Sequence, residues 1–242
     1  MKTGISISHK GKTHAWRMAL ETAGNILSAI AKIANAPLNE YGQRKIFRIA
    51  FAQYVKIDLD YTKQFSLSPR VRMLLHGDFG IAIPYGNSNI LPFEKRYFAG
   101  GPNSVRGWAV RSLGPGRFRS TDGTIDFINQ TGDMKLHLNA ELRGPLFWKF
   151  NYAVFLDAGN IWTLRNYDDQ PGGQFQFNKF LRDLAVAYGV GVRLNFDFFI
   201  LRFDFGMKAV NPAYTTQEEH FPVIYPDFKR DFAFHFAVGM PF

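Results

Sequence analysis

Few side chains in this sequence stand at spacings that support catalysis. The six histidines show neither an H-E-x-x-H motif nor another paired metal-ligand spacing, and Ser104 lies in no G-x-S-x-G elbow. The sequence contains no cysteine, which excludes disulfides, thiolate metal sites and cysteine nucleophiles. Residues 99–104 (AGGPNS) lack the G-K-[ST] ending of a phosphate-binding loop. We therefore expect no catalytic residue, no metal and no cofactor, and predict that the chain is not an enzyme.

The most distinctive stretch is residues 98–108, FAGGPNSVRGW, where Arg106 stands between a valine and a Gly–aromatic pair. This stretch falls in a predicted connection that spans residues 84–133. A connection of about fifty residues is too long for a compact fold unless it has a role of its own. The role of Arg106 therefore depends on the elements that surround this loop.

Period-two alternation of apolar and polar residues predicts β-strands along most of the chain. Near the C-terminal end, for example, Phe232, Phe234 and Phe236 alternate with Ala233 and His235. The same pattern predicts eight strands, at residues 16–21, 47–61, 70–81, 134–143, 152–157, 184–196, 199–208 and 232–242.

The length and polarity of these strands favour a membrane barrel over the alternative, a Phe-rich soluble β-sandwich. Most of them reach roughly nine to thirteen residues, enough to span a bilayer when tilted, whereas sandwich strands usually have about five or six. Their polar faces carry Arg, Lys, Asp, Glu and His in mid-strand, as expected for a watery lumen. Short and long connections alternate, and the 25 Phe, 10 Tyr and 4 Trp suit a lipid-facing surface with aromatic girdles.

Charge and hydropathy exclude several other classes. The net charge is +9, but the basic residues form no dense run, so we expect no nucleic-acid partner. No apolar stretch approaches the length of about 18 residues that a transmembrane helix needs. The first residues, MKTGISISHKGK, lack the apolar core of a signal peptide. Residues 25–34 fit either a short amphipathic helix or part of a long loop, and we favour the loop.

Residues 98–108 resemble the VRG-aromatic signature of the BamA/TamA family, the outer-membrane barrel assembly and translocation factors also called bacterial surface antigens. Three other segments strengthen the resemblance: VFLDAG at 154–159, which fits the family's F-x-D-x-G motif, NAELRGPLF at 139–147, and the last strand. The resemblance implies that the loop folds back into the barrel and that its arginine reaches acidic and aromatic groups on the inner wall. The residues so implied are Gly100, Gly101, Ser104, Val105, Arg106, Gly107 and Trp108 in the signature loop, and Phe155, Asp157 and Gly159 on the wall.

From this resemblance we predict a contact between Arg106 and Asp157. The alternation places Asp157 on the same face as Phe155, which is the face assigned to the lumen. An arginine–carboxylate pair there would be partly shielded from water, and charge-assisted hydrogen bonds are the strong class. The alternative is a solvated loop arginine.

The last strand, FAFHFAVGMPF, resembles the β-signal that the assembly machinery reads in outer-membrane barrels, with Phe242 as its aromatic anchor. The resemblance further implies that this strand pairs loosely with the first barrel strand to form a lateral gate. Gly239 and Pro241 would weaken that edge, because proline cannot donate to the ladder and glycine loosens a strand. The predicted residues of the terminal strand and gate are Phe232, Phe234, Phe236, Gly239 and Phe242.

Members of the family carry periplasmic POTRA domains followed by a barrel of about sixteen strands. Their signature loop enters well past the midpoint of the barrel, whereas here it follows only three clear strands. We therefore expect residues 1–242 to form the C-terminal half of such a barrel, without POTRA domains, a signal peptide or the first strands. Eight strands alone would close a barrel too narrow for the long loop. A half-barrel would leave unpaired edges in lipid, so we expect a fragment of a larger protein.

The expected function is that of a non-enzymatic assembly, insertion or translocation factor in the outer membrane of a Gram-negative bacterium. The expected partners are outer-membrane lipids, nascent outer-membrane β-barrel clients, and the missing N-terminal barrel half with its POTRA domains. The alternative is a passive outer-membrane pore or secretion barrel. A second rival, an outer-membrane lipase or protease, would need a Ser–His or carboxylate constellation that the sequence does not display.

Overall fold

A computed structural model describes residues 2–40, 42–46, 49–120, 124–196 and 198–242 of the chain. The strands within these residues are β1 (Lys2–Lys10), β2 (His14–Ala23), β3 (Lys45–Ile46), β4 (Ile49–Ala50), β5 (Tyr54–Ser66), β6 (Arg72–Pro84), β7 (Met134–Pro145), β8 (Phe150–Trp162), β9 (Ala185–Phe196), β10 (Phe199–Val210) and β11 (Phe232–Val238). The helices are α1 (Asn25–Ile33), α2 (Gln217–His220) and α3 (Phe228–Asp231), with a 3-10 turn at Phe93–Lys95. β3 and β4 form a separate hairpin, and the other nine strands form one sheet in the order β1-β2-β5-β6-β7-β8-β9-β10-β11.

The sheet buries its polar face and exposes its apolar one. Along β8, Ala153, Phe155 and Asp157 are at most 3% exposed, whereas the intervening Val154 and Leu156 are 48% and 53% exposed. This polarity is the reverse of that of a water-soluble sheet and suits a wall that faces lipid. The faces that the alternation assigned are confirmed on β6 through β10.

Connections alternate in length, as predicted. Short turns follow β1, β5, β7 and β9, and long segments follow β2, β6, β8 and β10. Because the sheet is antiparallel, the short turns lie at one end and the long segments at the other. Two of the long segments are tied together there, since the Gln170 side chain donates to the Thr131 carbonyl at 2.9 Å. The long loops therefore form a connected cap.

The strand predicted at 47–61 is wrong in its first half. β5 begins only at Tyr54, and residues 47–48 lie outside the described residues. The backbone just before β5 bonds instead to the loop after β6, because the Gln53 N–H donates to Ser88 Oγ at 2.8 Å. A backbone group satisfied by a side chain in this way does not join a strand ladder.

β1 and α1 are among the elements that the sequence did not favour. β1 pairs with β2 along its whole length, although Ile5 and Ile7 give an alternation too short to predict a strand, so the sheet has nine strands rather than eight. The expectation of a loop at residues 25–34 is also wrong, because α1 lies there. This helix buries Ala31 and leaves Ile30 and Ile33 exposed.

The edges of the sheet are open. Within the described part of the chain, β1 pairs with β2 alone and β11 with β10 alone. Every residue of β1 is exposed. β11 ends at Val238 rather than at residue 242, and Gly239 follows with a left-handed φ of 92°. No helix among the described residues is long and apolar enough to cross a membrane.

Candidate functional site

Glycines turn the signature loop back toward the sheet. Gly100 and Gly101 have φ angles of 95° and 98°, which side chains other than glycine rarely adopt. The Gly101 N–H donates to the Trp108 carbonyl at 2.8 Å and closes the tip of the loop. Val105 and Trp108 are buried at this tip, in one apolar core with Ala187 of β9. The loop therefore lies on the inner face of the sheet.

The guanidinium group of Arg106 lies on the wall segment of β8. Nε donates to Asp157 Oδ2 and Nη2 donates to Oδ1, both at 2.8 Å, and the Arg106 backbone N–H donates to Oδ2 at 3.1 Å. The guanidinium carbon stands 3.6 Å from the Phe155 ring centroid, within cation–π range. Gly159 permits close packing nearby, because a Cβ there would lie 2.5 Å from the Leu136 carbonyl oxygen. The predicted contact between Arg106 and Asp157 is present, with both residues at 0% exposure.

Arg106 belongs to a larger buried network of ion pairs, which we call the arginine cluster. Glu141 of β7 pairs with Nη1 of Arg106 and with Arg193 Nη2 at 3.1 Å. Asp204 of β10 pairs with Arg193 Nη1 at 2.6 Å. The arginine cluster consists of Arg106, Arg143, Arg193, Arg202, Glu141, Asp157 and Asp204.

The arginine cluster pairs four guanidinium groups with three carboxylates. Charges buried in this way are stable only when they meet opposite charges and hydrogen bonds. Burial alone would lower the pKa of Arg106, but the neighbouring Asp157, Glu141 and Asp204 outweigh it and raise that pKa above its ordinary value. Arg106 therefore stays cationic and links the loop to the inner faces of β7, β8 and β10.

Small residues make room for the backbone of the loop. A Cβ added at Gly206 of β10 would lie 2.1 Å from the Arg106 carbonyl oxygen, and one at Gly107 would lie 2.8 Å from Ala187 Cβ. The same Arg106 carbonyl accepts a hydrogen bond from Nε2 of His235 on β11 at 3.0 Å. The tip of the loop thus reaches the last strand of the sheet.

The structure also brings Ser104 to a histidine, a pairing that the sequence did not display. Ser104 Oγ lies 3.1 Å from His137 Nε2, and Asp78 Oδ2 lies 3.6 Å from Nδ1 of the same ring. This order of hydroxyl, imidazole and carboxylate resembles that of serine hydrolases. However, the short bond of Asp78, at 2.6 Å, goes to Lys135 Nζ, and Ser104 Oγ accepts the Gly100 N–H at 3.3 Å. The Ser104–His137 contact holds the loop to β7, and the bond between Lys135 and Asp78 ties β7 to β6.

The strand predicted at 232–242 would place Phe242 on the same apolar face as Phe232, Phe234 and Phe236, and this prediction is wrong. After the left-handed Gly239 the chain turns inward, and the Phe242 ring stacks on His76 of β6 with the centroids 4.7 Å apart. The Phe242 ring therefore lies against the inner wall rather than against lipid. The phenylalanines of β11, two of them more than half exposed, share the outward face: Phe232, Phe234 and Phe236.

Sequence reasoning missed most of the arginine cluster and the contact of His235. One feature did point to buried carboxylates: Arg193 and Arg202 stand directly opposite each other in β9 and β10. Like charges in that position repel, so the pair indicates that carboxylates such as Asp204 and Glu141 lie nearby. The alternation alone assigned these residues to the lumen without naming their partners.

Comparison with known proteins identifies the family. The model described as the Omp85 superfamily domain matches residues 49–242. The outer membrane protein assembly factor BamA of Neisseria meningitidis serogroup B is 32% identical over 133 residues, which cover 51% of this chain and 16% of BamA. The sorting and assembly machinery component 50 homolog of Bos taurus is 27% identical over 157 residues, which cover 59% of this chain and 31% of that protein.

Two solved structures share the fold. CdiB from Acinetobacter baumannii aligns with 98% of this chain and 32% of its own, with a TM-score of 0.53 and 14% identity. BamA from Haemophilus ducreyi lacking POTRA domains 1–3 aligns with 98% of this chain and 53% of its own, with a TM-score of 0.56 and 13% identity.

The chain thus spans 16% and 31% of the two curated relatives that it matches. The predicted fold class, an antiparallel transmembrane β-barrel, is confirmed, and this chain forms an open portion of it. The Neisseria meningitidis relative and the family match agree with the predicted localisation in the outer membrane of a Gram-negative bacterium. As its resemblance to BamA and TamA implied, the chain belongs to the Omp85 superfamily.

Proposed function

We propose that this chain is part of a non-enzymatic barrel that inserts other β-barrel proteins into the outer membrane. The observation that carries the proposal is the arginine cluster, which fixes a long loop to the inner wall beside an unpaired edge strand. The name of the Neisseria meningitidis relative, outer membrane protein assembly factor, supports the same role.

The chemistry of the edge strand suits a template. The free side of β11 presents backbone N–H and C=O groups, and such groups recruit another strand by β-augmentation. β11 has seven residues, fewer than any other strand of the main sheet, so its own pairing with β10 is limited. A template must also be held rigidly, and the arginine cluster braces the wall beside β11.

The proposed partners follow from the surfaces of the sheet. Lipids would contact the outward apolar side chains, and nascent outer-membrane β-barrel proteins would pair with β11. The exposed strand β1 would pair with further barrel strands of a longer chain. POTRA domains, of which the Haemophilus ducreyi BamA structure lacks the first three, would complete the intact protein.

Depletion of the intact protein tests this role against a passive pore or secretion barrel. We expect other outer-membrane β-barrel proteins to lose their folded form, seen as heat-modifiable bands on gels. A wild-type copy should restore that form and Arg106→Ala should not. Arg111→Ala is the matched control, because Arg111 lies in the same loop but stacks on Phe98 outside the arginine cluster.

A passive pore gives a different pattern. Other barrels would then keep their normal folded levels during depletion, and the conductance of the purified protein would be unchanged by Arg106→Ala. That combination would refute the assembly role while leaving the fold and the arginine cluster unaffected.

A further inference from the structure

The sequence of β11 does not by itself fix the register of the strand. Its seven residues read Phe-Ala-Phe-His-Phe-Ala-Val, with the phenylalanines outward and the alanines inward. A slip by one residue would exchange the faces, which the membrane opposes. A slip by two residues would keep phenylalanine outward and alanine inward. The one residue that distinguishes these registers is His235 at the centre of the strand.

His235 makes a specific contact across the inner face of the sheet. Its side chain is buried, and Nε2 donates to the Arg106 carbonyl at 3.0 Å. The backbone N–H of Arg106 donates in turn to Asp157 of β8. The backbone of Arg106 is therefore anchored to β8 on one side and to β11 on the other.

The surroundings of this bond disfavour both two-residue slips. In the observed register His235 stands opposite Asp204 of β10. A slip in one direction would place it opposite Gly206, over which the Arg106 carbonyl already lies, since a Cβ there would be 2.1 Å from that oxygen. A slip in the other direction would place it opposite Arg202, whose guanidinium group offers donors and no acceptor. Either slip moves His235 about 7 Å along β10, much farther than the 3.0 Å hydrogen bond spans, so the present contact with Arg106 is lost.

We propose that His235 is a positioning residue that sets the register of β11 through the Arg106 carbonyl. The signature loop then determines which backbone groups of the edge strand face an incoming strand. This rests on the proposed function only for its consequence, because the register itself is a property of the folded barrel.

Disulfide trapping in the intact protein, in isolated outer membranes, measures the register directly. This chain has no cysteine, so introduced pairs report without background from it. Phe205→Cys with Phe234→Cys reports the observed register, in which these residues stand opposite each other. Phe203→Cys with Phe234→Cys and Met207→Cys with Phe234→Cys report the two slips.

We expect His235→Leu to lower the ratio of in-register to slipped disulfide roughly fivefold, because one buried hydrogen bond that favours the observed register is lost. His235→Gln, which retains an N–H donor, should restore the wild-type pattern. His235→Asn, whose amide is too short to reach the carbonyl, should behave like His235→Leu and serves if that variant does not insert. The control pair, Val192→Cys with Phe203→Cys between β9 and β10, should be unchanged in each.

A ratio of in-register to slipped disulfide within twofold of wild type, in the inserted His235→Leu or His235→Asn protein, would overturn the proposal. Failure of His235→Gln to rescue would overturn it as well. The folding of other barrels, scored separately, decides the assembly role. A register shift without a defect in the folding of other barrels would show that assembly does not depend on this register, and would leave the role of His235 standing.

Discussion

The Arg106 guanidinium is buried, and its nitrogens face carboxylates on three strands. Removing it would leave the buried Asp157 carboxylate without its arginine partner, which costs about 3–5 kcal/mol, whereas Glu141 would keep Arg143 and Arg193. We therefore expect Arg106→Ala to lower the urea concentration at which the folded, heat-modifiable form is lost. Arg106→Lys should rescue only part of the stability, because an ammonium group cannot form the two-point contact with Asp157. Equal stability of wild type and Arg106→Ala would contradict a structural role for the arginine cluster.

Ser104 provides a second test at the residue scale. Its hydroxyl meets His137 Nε2, but Asp78 is committed to Lys135, so we expect no activated nucleophile. A fluorophosphonate probe, which labels reactive serines, should leave the purified protein unlabelled. Ser104→Ala should cost about 1 kcal/mol of stability through the lost hydrogen bond. Labelling that disappears in Ser104→Ala and in His137→Ala would show instead that the three groups form a working hydrolase site.

At the scale of elements, the sequence predicts which face of a strand a side chain occupies better than it predicts which other side chain it contacts. Asp157 could be assigned to the inner face because lipid on one side and water on the other impose a strict period of two. Its neighbour Glu141 could not be linked to Arg106, because that contact depends on where the tip of a long loop lands. The end of β11 was also hidden, since the alternation runs on to Phe242 although the backbone turns at Gly239.

The inward turn after β11 depends on glycine. Gly239 has a φ of 92°, and an added Cβ would meet open space, so its cost is conformational rather than steric. For other residues a left-handed conformation costs about 1–2 kcal/mol. We expect Gly239→Val to straighten the strand and release the Phe242 ring from His76.

A tryptophan at position 242 reports whether the terminal ring faces the inner wall or the lipid. Phe242→Trp, with the exposed Trp16 and Trp148 replaced by phenylalanine, should resist quenching by brominated lipids because the ring faces the inner wall. Adding Gly239→Val should make it quenchable. Strong quenching before that substitution would place the end of the chain on the lipid side.

Two adjacent short turns carry an exposed aromatic surface. Phe147 and Trp148 after β7, and Phe198 after β9, are 68%, 76% and 87% exposed. Aromatic side chains at the rim of a barrel lie at the membrane interface. In protein carrying Trp16→Phe, lipids brominated near the headgroup should therefore quench Trp148 fluorescence, and Trp148→Phe should abolish the quenched signal. Quenching by aqueous acrylamide alone would place these turns in water.

At the scale of the whole molecule, the open sheet requires partners for both edges, because unpaired backbone groups are not tolerated in lipid. Two copies of this chain would be the simplest solution. The direction of the strands argues against it. Each neighbouring pair in the nine-stranded sheet is antiparallel, so β1 and β11 point the same way.

Closing two copies around a common axis would therefore join β1 of one copy to β11 of the other in parallel, at both seams. Turning one copy over would make the seams antiparallel but would place its long loops on the wrong side of the membrane. Known barrels of this bacterial type are antiparallel with an even number of strands, so we expect strands from elsewhere in a longer chain to complete the sheet.

Co-expressed copies carrying Ile7→Cys and Phe236→Cys should accordingly give no disulfide-linked dimer. On immunoblots of outer membranes the protein should run well above 27.6 kDa and shift on boiling. A dimer linked through these two cysteines, which falls to 27.6 kDa only when the sample is boiled and reduced, would show that two copies close the barrel after all.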